Sequence, residues 1–197
     1  PPAPERPAVD DAFLSALLDT PQDHEERPRG FVAVGDGSDA DFRHLTGIAG
    51  VDRPSAFVRL ANERVVCPPV GAADIAARQF DGRVATARSG EPPGRRAAAV
   101  LKEASDRRPD AADVVLTPAT IPHDAALYLE RAGYELRSTA AVREARATKT
   151  GGEVGAIGAV QDAAVAAVRR GASVLAAASA ADDELRWEGG ALTAERL

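Results

Sequence analysis

Short apolar runs alternate with segments of helical periodicity between residues 30 and 137. The runs have the length of strands and end at glycine, proline or polar turn residues; the predicted strands cover 30–34, 55–60, 64–67, 83–87, 113–116 and 134–137. Apolar side chains recur every three or four residues between them, which predicts helices over 72–80, 97–104 and 124–131. This alternation indicates an α/β fold with helices on both faces of a sheet.

Two of the predicted strands follow each other closely. The runs 55–60 and 64–67 flank Ala61-Asn62-Glu63, an arrangement typical of a β-hairpin. Pro68 and Pro69 prevent the second strand from continuing. Because a hairpin introduces antiparallel pairing, we expect a mixed β-sheet.

The pattern changes towards both ends of the chain. Residues 1–8 are predicted to be a disordered tail, and Asp10 and Asp11 are predicted to cap a short helix. We place the α/β domain at 9–140 and a helical C-terminal extension at 141–197.

The extension begins with a predicted capping box. Thr150 and Glu153 have its spacing, and a long amphipathic helix is expected to follow and to end at Gly171. Its apolar positions are Val154, Ile157, Val160, Ala164 and Val168. A second helical stretch is expected over 172–181, and 191–197 resembles the start of another helix.

The connection between the first two predicted strands carries an unusual group of side chains. Residues 39–47 have the sequence Asp-Ala-Asp-Phe-Arg-His-Leu-Thr-Gly. A simple turn needs few specialised residues, whereas this connection places Phe42, Arg43 and His44 side by side. Loops on a rigid scaffold commonly carry binding groups. We therefore expect a loop here and take these three residues as the candidate site.

Composition narrows the classes of function. The chain has 197 residues, of which 45% are hydrophobic and 27% charged, enough apolar material for a real core. A net charge of −6 argues against a nucleic-acid surface and against binding to anionic membranes. A single cysteine excludes an internal disulfide. We expect no signal peptide, since the N-terminal residues lack a basic and an apolar region, and no membrane span, since no apolar run is long enough. We expect a cytoplasmic protein, and the absence of methionine indicates a processed or trimmed start.

No group of residues has the spacing of a metal site. His24, His44 and His123 are scattered, whereas zinc needs three or four protein ligands. The acidic segment 23–26 lies in a polar stretch and is interpreted as a solvated turn. The acidic segment 182–184 invites a hard-cation site, yet it also suits a helix N-terminus, and we favour the second interpretation.

Two further features resemble catalytic or phosphate-binding elements. Cys67 ends an apolar strand, and no base is found near it in the sequence, so we interpret it as a packing residue. Gly35-Asp36-Gly37 follows a strand as a phosphate loop does, but it lacks the third glycine of the dinucleotide fingerprint and the lysine of a P-loop. We interpret it as a simple turn.

Three segments together resemble a known family. Residues 41–47 are similar to the D-x-R-Y-L-T-G stretch in the N-terminal domains of creatinase and prolidase-type proteins, with His44 where tyrosine is common. The hairpin that ends at Cys67 resembles the next strand pair of that pattern, and 146–153 is similar to the R-x-x-K-[ST]-x-x-E segment. In those proteins this segment leads into the first helix of the catalytic domain, so the resemblance implies that 141–197 is a linker with the first helices leading toward an absent catalytic domain. The resemblance covers roughly residues 10–170 and points to Xaa-Pro aminopeptidases and Xaa-Pro dipeptidases.

The resemblance implies a creatinase N-terminal-domain-like fold without catalytic residues in this chain. Family catalytic domains have a pita-bread fold in which two Asp, one His and two Glu hold two divalent metal ions, here expected to be Mn, Co or Zn. Those ligands are not matched in this chain, since no histidine follows residue 150. We therefore expect no metal site and no peptidase activity in the chain itself.

The resemblance also implies partners. Relatives commonly dimerise through this domain, so we expect a homodimer and a proline-containing peptide as the substrate of the full-length protein. Phe42, Arg43 and His44 would then line a substrate rim or an inter-subunit contact, where Arg43 pairs with a peptide carboxylate. The competing interpretation makes Arg43 a solvated charge and His44 a structural histidine.

A different class of function also fits the sequence. An inactive-peptidase-like module would use the same fold to bind proteins, as a histone-chaperone subunit does. The acidic net charge suits a basic partner for such a module. An independent thiol-dependent or hydrolytic enzyme has the least support.

Overall fold

The computed structural model describes residues 12–19, 27–105, 112–181 and 184–196. The predicted tail at 1–8 and the predicted caps Asp10 and Asp11 lie outside these residues. The chain forms two compact units, residues 1–148 and residues 149–197. Within the described part, no helix combines the length and the apolar content that crossing a membrane requires.

A six-stranded sheet organises the described part of the first unit. Its strands are β1 (Gly30–Gly35), β2 (Ser55–Leu60), β3 (Glu63–Cys67), β4 (Arg83–Val84), β5 (Val114–Pro118) and β6 (Glu135–Thr139). They lie in the order β4-β3-β2-β1-β5-β6. Strand β2 is antiparallel to both β1 and β3, and the other neighbours are parallel. The predicted mixed sheet and hairpin are confirmed.

Strand β4 is shorter than the predicted strand 83–87. Its register covers Arg83 and Val84, opposite Val65 and Val66 of β3, while the N–H groups of Ala85 and Ala87 still donate to the carbonyls of Val66 and Pro68. The neighbouring chain then enters Pro68 and Pro69, which have no backbone N–H to donate. The proline pair therefore shortens the parallel ladder as well as the hairpin.

Helices cover both faces of the sheet, as the sequence predicted. They are α1 (Ala12–Asp19), α2 (Ala40–Thr46), α3 (Ala73–Gln79), α4 (Pro93–Ser105), α5 (His123–Arg131) and α6 (Ala141–Ala147), with a 3-10 turn at Val70–Ala72. One hydrophobic cluster joins the sheet to α1, α2, α3 and α6, and the other joins it to α4 and α5.

Strict alternation along the strands creates these two clusters. In β1, Phe31 and Ala33 belong to the first cluster and Val32 to the second. In β5, Val115 faces the second cluster, whereas its neighbours at 114 and 116 face the first. Because both faces are covered, the strands are apolar at almost every position, as in other buried sheets.

Helix α6 belongs to the first unit. Residues 141–147 were assigned to the extension on the sequence, but Val142 is 2% exposed and packs into the first hydrophobic cluster. The boundary between the two compact units lies between Thr148 and Lys149 in the sequence.

The second unit contains one long helix and a small antiparallel sheet. Helix α7 (Gly151–Ala177) starts at a capping box between Thr150 and Glu153, which confirms the predicted start. It continues through Gly171, so the predicted end there is wrong, because one glycine costs a helix only about 1 kcal/mol.

Strands replace the other helices predicted in this unit. They are β7 (Ser179–Ala181), β8 (Glu184–Trp187) and β9 (Gly190–Ala191). The helix expected over 172–181 is confirmed only as far as Ala177, where α7 ends, and the helix expected from 191 is wrong. Glu188 and Gly189 both have positive φ angles, 51° and 78°, as a type I′ hairpin turn requires.

Candidate functional site around helix α2

Residues 40–46 form a helix, so the loop predicted over 39–47 is wrong. The N–H of Phe42 donates to Oδ1 of Asp39 at 2.9 Å, which makes Asp39 the N-cap. Gly47 is the C-cap with a φ of 68°, and its N–H donates to the carbonyl of Arg43 at 2.7 Å. The two residues at the ends of the segment, Asp39 and Gly47, are therefore the caps of α2.

The inner face of α2 is part of the core. Phe42 and Leu45 are 1% and 0% exposed and belong to the first hydrophobic cluster. The hydroxyl of Thr46 donates to the carbonyl of Phe42 at 2.7 Å and accepts from the N–H of Ile48 at 3.1 Å. A buried phenylalanine cannot line a rim, so the candidate site narrows to Arg43 and His44.

Arg43 and His44 occupy the outer part of the helix. Arg43 is exposed, and His44 is half-buried with its ring 6.2 Å from the ring of Phe13 in α1. Both lie in the last turn of α2, where cationic side chains interact favourably with the helix dipole. Arg43 is therefore the side chain of this pair that can reach an external carboxylate.

An ion pair joins α2 to α6. The guanidinium of Arg146 donates to a carboxylate oxygen of Asp41, across 105 positions of sequence. The pair is 36% exposed at the arginine and 27% at the aspartate. Asp41 and Arg146 are the first residues of two of the three segments on which the family resemblance rests, so these two segments are in direct contact there.

The turn before α2 is explained by close packing. A Cβ at position 35 would lie 2.8 Å from the Cβ of Phe42, and one at position 37 would lie 2.9 Å from the backbone of Val51. Hydrogen bonds from Ser38 lower the pKa of the Asp36 carboxyl below its usual value. Both glycines and the aspartate thus serve the turn, which supports the simple-turn interpretation.

Sequence reasoning missed a buried arginine next to α1. Arg59 is 8% exposed, donates to the carbonyls of Leu60 and Ala61 in the β2–β3 hairpin, and donates to the hydroxyl of Ser15 at 2.6 Å. The sequence did contain a sign of it, because Arg59 is the one charged residue in the largely apolar run of β2. Arg59 ties the hairpin turn to helix α1.

An open cavity of about 600 Å³ lies beside Arg59. Its charged lining residues are Asp19, Arg59, Glu63, Arg64, Asp81 and Arg83. Three cations and three anions balance here, and Arg83 already donates to Glu63 at 2.6 Å. These six side chains therefore carry no net charge together.

The metal candidates do not gather in the structure. His123 is exposed at the start of α5, whereas His24 lies outside the described residues. Glu184 begins strand β8, which corrects the helix N-terminus expected at 182–184. In the described part of the chain, no three His, Cys, Asp or Glu side chains are placed to hold a metal ion.

Cys67 is fully buried in the second hydrophobic cluster, as a packing residue would be. Burial raises the pKa of its thiol to about 12, although Arg96 and Arg83 act in the opposite direction. A thiol with this pKa carries almost no thiolate at neutral pH and is a poor nucleophile.

Solved structures share this fold. No protein-family model matches the chain, and no curated protein matches it by sequence. The structure resembles an Xaa-Pro aminopeptidase, aminopeptidase P, from Streptococcus thermophilus, with a TM-score of 0.51 and 15% identity over 68% of this chain and 94% of that chain.

Two longer proteins have a similar region. An Xaa-Pro dipeptidase from Bacillus anthracis gives a TM-score of 0.52 at 14% identity over 64% of this chain and 33% of its own. An X-Pro aminopeptidase from Thermotoga maritima MSB8 gives 0.50 at 16% identity over 64% and 35%. The matched region thus spans about a third of those two proteins. The fold that the sequence resemblance implied is confirmed.

Proposed function

We propose that this chain is the non-catalytic N-terminal domain of a metal-dependent Xaa-Pro peptidase. The observation that carries the proposal is the ion pair between Asp41 and Arg146. It connects two of the three segments that resemble the peptidase family, on a fold that solved Xaa-Pro peptidases also have. Two motifs that are far apart in the sequence are therefore joined by a direct contact between their first residues.

The domain contributes to dimerisation and restricts access to the active site. Arg43 is the residue that acts at the mouth of that site, because it is exposed at the end of α2 and its guanidinium is suited to a carboxylate. His44 packs beside Phe13 of α1 and stabilises the surface next to Arg43. The substrate is a short, proline-containing peptide, and the protein acts in the cytoplasm.

The catalytic chemistry belongs to another domain of the same gene product. Two divalent metal ions, Mn, Co or Zn, would bind there and activate the water that attacks the bond next to proline. The residues of the present chain take no part in that step; they position and select the peptide.

The gene product and its activity test the assignment. We expect the full reading frame to encode a domain with spaced Asp, Asp, His, Glu and Glu residues and to hydrolyse an Xaa-Pro peptide in the presence of Mn²⁺. The 197-residue chain alone should show no turnover under the same conditions. Turnover by the chain alone, or a gene product without a peptidase domain, would contradict the proposal, and the second result would favour the protein-binding module.

The role of Arg43 is tested in the active gene product. Arg43→Ala should raise KM for short peptides while leaving kcat unchanged, because it removes an interaction with the bound peptide and none with the reacting atoms. Arg95→Ala is the matched control, since Arg95 is exposed on α4 at the other face of the sheet. Equal KM values for both variants would remove Arg43 from the substrate rim.

A further inference from the structure

Strand β6 forms one edge of the six-stranded sheet and, in the described part of the chain, has β5 as its only neighbour. It is in register with β5 along its whole length, Glu135–Thr139, whereas the strand at the opposite edge, β4, is shorter. An edge strand carries a row of N–H and C=O groups that can pair with another chain. The β6 edge is therefore the longer of the two places at which this sheet can be extended.

The backbone groups of Leu136 and Ser138 point away from the sheet. The N–H of Glu135 donates to the carbonyl of Asp113 at 2.8 Å, so the backbone groups of residues 135, 137 and 139 face β5. Backbone groups of successive residues alternate between the two sides of a strand, and those of Leu136 and Ser138 therefore face outward. The side chain of Ser138 is exposed and that of Leu136 is half-buried.

The helices next to β6 pack towards the middle of the sheet. Helix α6 follows β6 directly, but it contacts α1 and α2 and packs its Val142 into the first hydrophobic cluster. Helix α5 lies on the other face, where it contacts α4 as well as β6. Neither helix is thus directed across the β6 edge.

Glu135 and Arg137 give this edge a self-complementary pair of charges. They lie two residues apart on one face of β6, where Nε of Arg137 donates to Oε1 of Glu135 at 2.8 Å. The side chain of Glu135 is 63% exposed and that of Arg137 is 35% exposed. A second β6 that runs antiparallel, with the two-fold axis at Leu136, places Glu135 of each copy directly opposite Arg137 of the other. Because a guanidinium has five N–H groups, Arg137 can bind the carboxylates of both copies.

The hydrogen-bond pattern allows this register. With the axis at Leu136, the outward N–H and C=O of this residue meet those of the same residue in the second copy. Residues 135 and 137 then form a non-hydrogen-bonded pair, in which the Cβ atoms lie about 4.5–5.5 Å apart. On the other face, Leu136, which packs against the second hydrophobic cluster, comes beside Leu136 of the second copy. An axis at Arg137 would instead place two like charges opposite each other, which is unfavourable.

We infer that strand β6 is a self-association surface on which a second copy of this chain adds its own β6 antiparallel, with the two-fold axis at Leu136. The sheet then continues from one copy into the other. The inference rests on the dimerisation proposed above and identifies the surface responsible. Backbone hydrogen bonds supply the affinity, and the charges of residues 135 and 137 select the register.

Two charge variants of the 197-residue chain and their mixture test the register. Glu135→Arg and Arg137→Glu should each raise the dimer dissociation constant about tenfold in sedimentation equilibrium, because each places like charges opposite each other. An equimolar mixture of the two variants should form a heterodimer with a dissociation constant within about threefold of the original. The mixture cannot restore the ion pair inside either chain, so recovery identifies the contact between copies. Asp74→Arg is the control, since Asp74 is exposed on α3 beside the β4 edge.

A second pair of variants tests the backbone contact. Ser138→Pro removes the N–H that would donate to the carbonyl of Tyr134 in the second copy, and an edge strand tolerates proline where its N–H faces outward. It should weaken the dimer about tenfold, whereas Ser138→Ala keeps the N–H and should leave the dissociation constant within about twofold. Urea unfolding of all variants checks that the first unit remains folded.

Three results would overturn the inference: a monomeric wild-type chain, no recovery in the mixture, or equal effects of the two Ser138 variants. A dimer that is indifferent to Glu135→Arg leaves dimerisation through another surface standing and overturns only the role of β6. If Glu135→Arg lowers the thermal stability of the full gene product but leaves its oligomeric state unchanged, the edge is covered within one polypeptide, and the inference is likewise overturned. A gene product without peptidase activity would contradict the proposed function and not the role of β6.

Discussion

The side chains of residues 39–47 divide their roles between the helix backbone, the core and the surface. Asp39 and Gly47 cap α2, Phe42 packs in the core, and Asp41 binds Arg146 of α6. Arg43 is exposed at the end of the helix, next to His44, which packs beside Phe13. Most residues of segment 39–47 therefore stabilise the fold.

The ion pair between Asp41 and Arg146 should make a measurable contribution to stability. A double-mutant cycle with Asp41→Asn and Arg146→Gln should give a coupling free energy of about 0.5–1 kcal/mol in urea unfolding, because the pair is partly shielded from water. Glu135 and Arg137 form the control pair, since they are two residues apart and the glutamate is 63% exposed. Equal coupling free energies in both cycles would show that the partial burial of the α2–α6 ion pair does not strengthen it.

Burial of Cys67 should make the protein less stable in alkali. The pKa of its thiol is about 12 in the folded chain against 9.0 for a free thiol, so the unfolded state loses its proton first. The free energy of unfolding should then fall between pH 9 and pH 12, by up to about 1.4 kcal/mol per pH unit. The measurement is urea unfolding across this range, with Cys67→Ala as reference. The difference between the two proteins should be constant below pH 9 and change above it; parallel curves would contradict the effect.

At the scale of elements, the sequence predicted those whose pattern extends over many residues. Short apolar runs located the six strands of the main sheet, and helical periodicity located helices α3, α4 and α5, with errors only at their ends. Helix α2 was missed because seven residues provide too little periodicity to stand out. Its caps, Asp39 and Gly47, could have revealed the helix, but they were interpreted as the ends of a loop. Beyond α7, the short hairpins of the second unit have too few apolar positions for recognition.

The crossing of α4 and α5 depends on a glycine that the sequence did not single out. A Cβ at position 94 would lie 2.5 Å from the Cα of Ala125, a backbone atom that cannot move away alone. Gly94→Ala should therefore destabilise the chain by about 1–3 kcal/mol in urea unfolding. Gly71→Ala is the control, since a Cβ there meets nothing within 4 Å, and it should change stability by less than about 0.5 kcal/mol. If the two variants behaved alike, close packing of α4 on α5 would not explain the glycine.

At the scale of the whole molecule, the alternation of strands with helices along the chain was enough to predict a sheet covered on both faces. The division of the chain was harder to predict, because α6 is short and only its Val142 reveals that it packs into the first cluster. The candidate site was harder still. Which of three adjacent side chains is exposed depends on how α2 lies on the sheet, and that orientation comes from contacts distant in sequence.

The two units should differ sharply when separated. Both hydrophobic clusters consist of residues from the first unit, so a chain ending at Thr148 should unfold in urea in one cooperative transition with an unchanged midpoint. In the described part of residues 149–197, Val174 alone is buried, which is too little to stabilise a fold. The isolated 149–197 segment should therefore be only weakly helical, because it lacks the packing that a 27-residue helix with five glycines needs. Circular dichroism of the segment measures this, and a signal that corresponds to the full length of α7 would contradict the expectation.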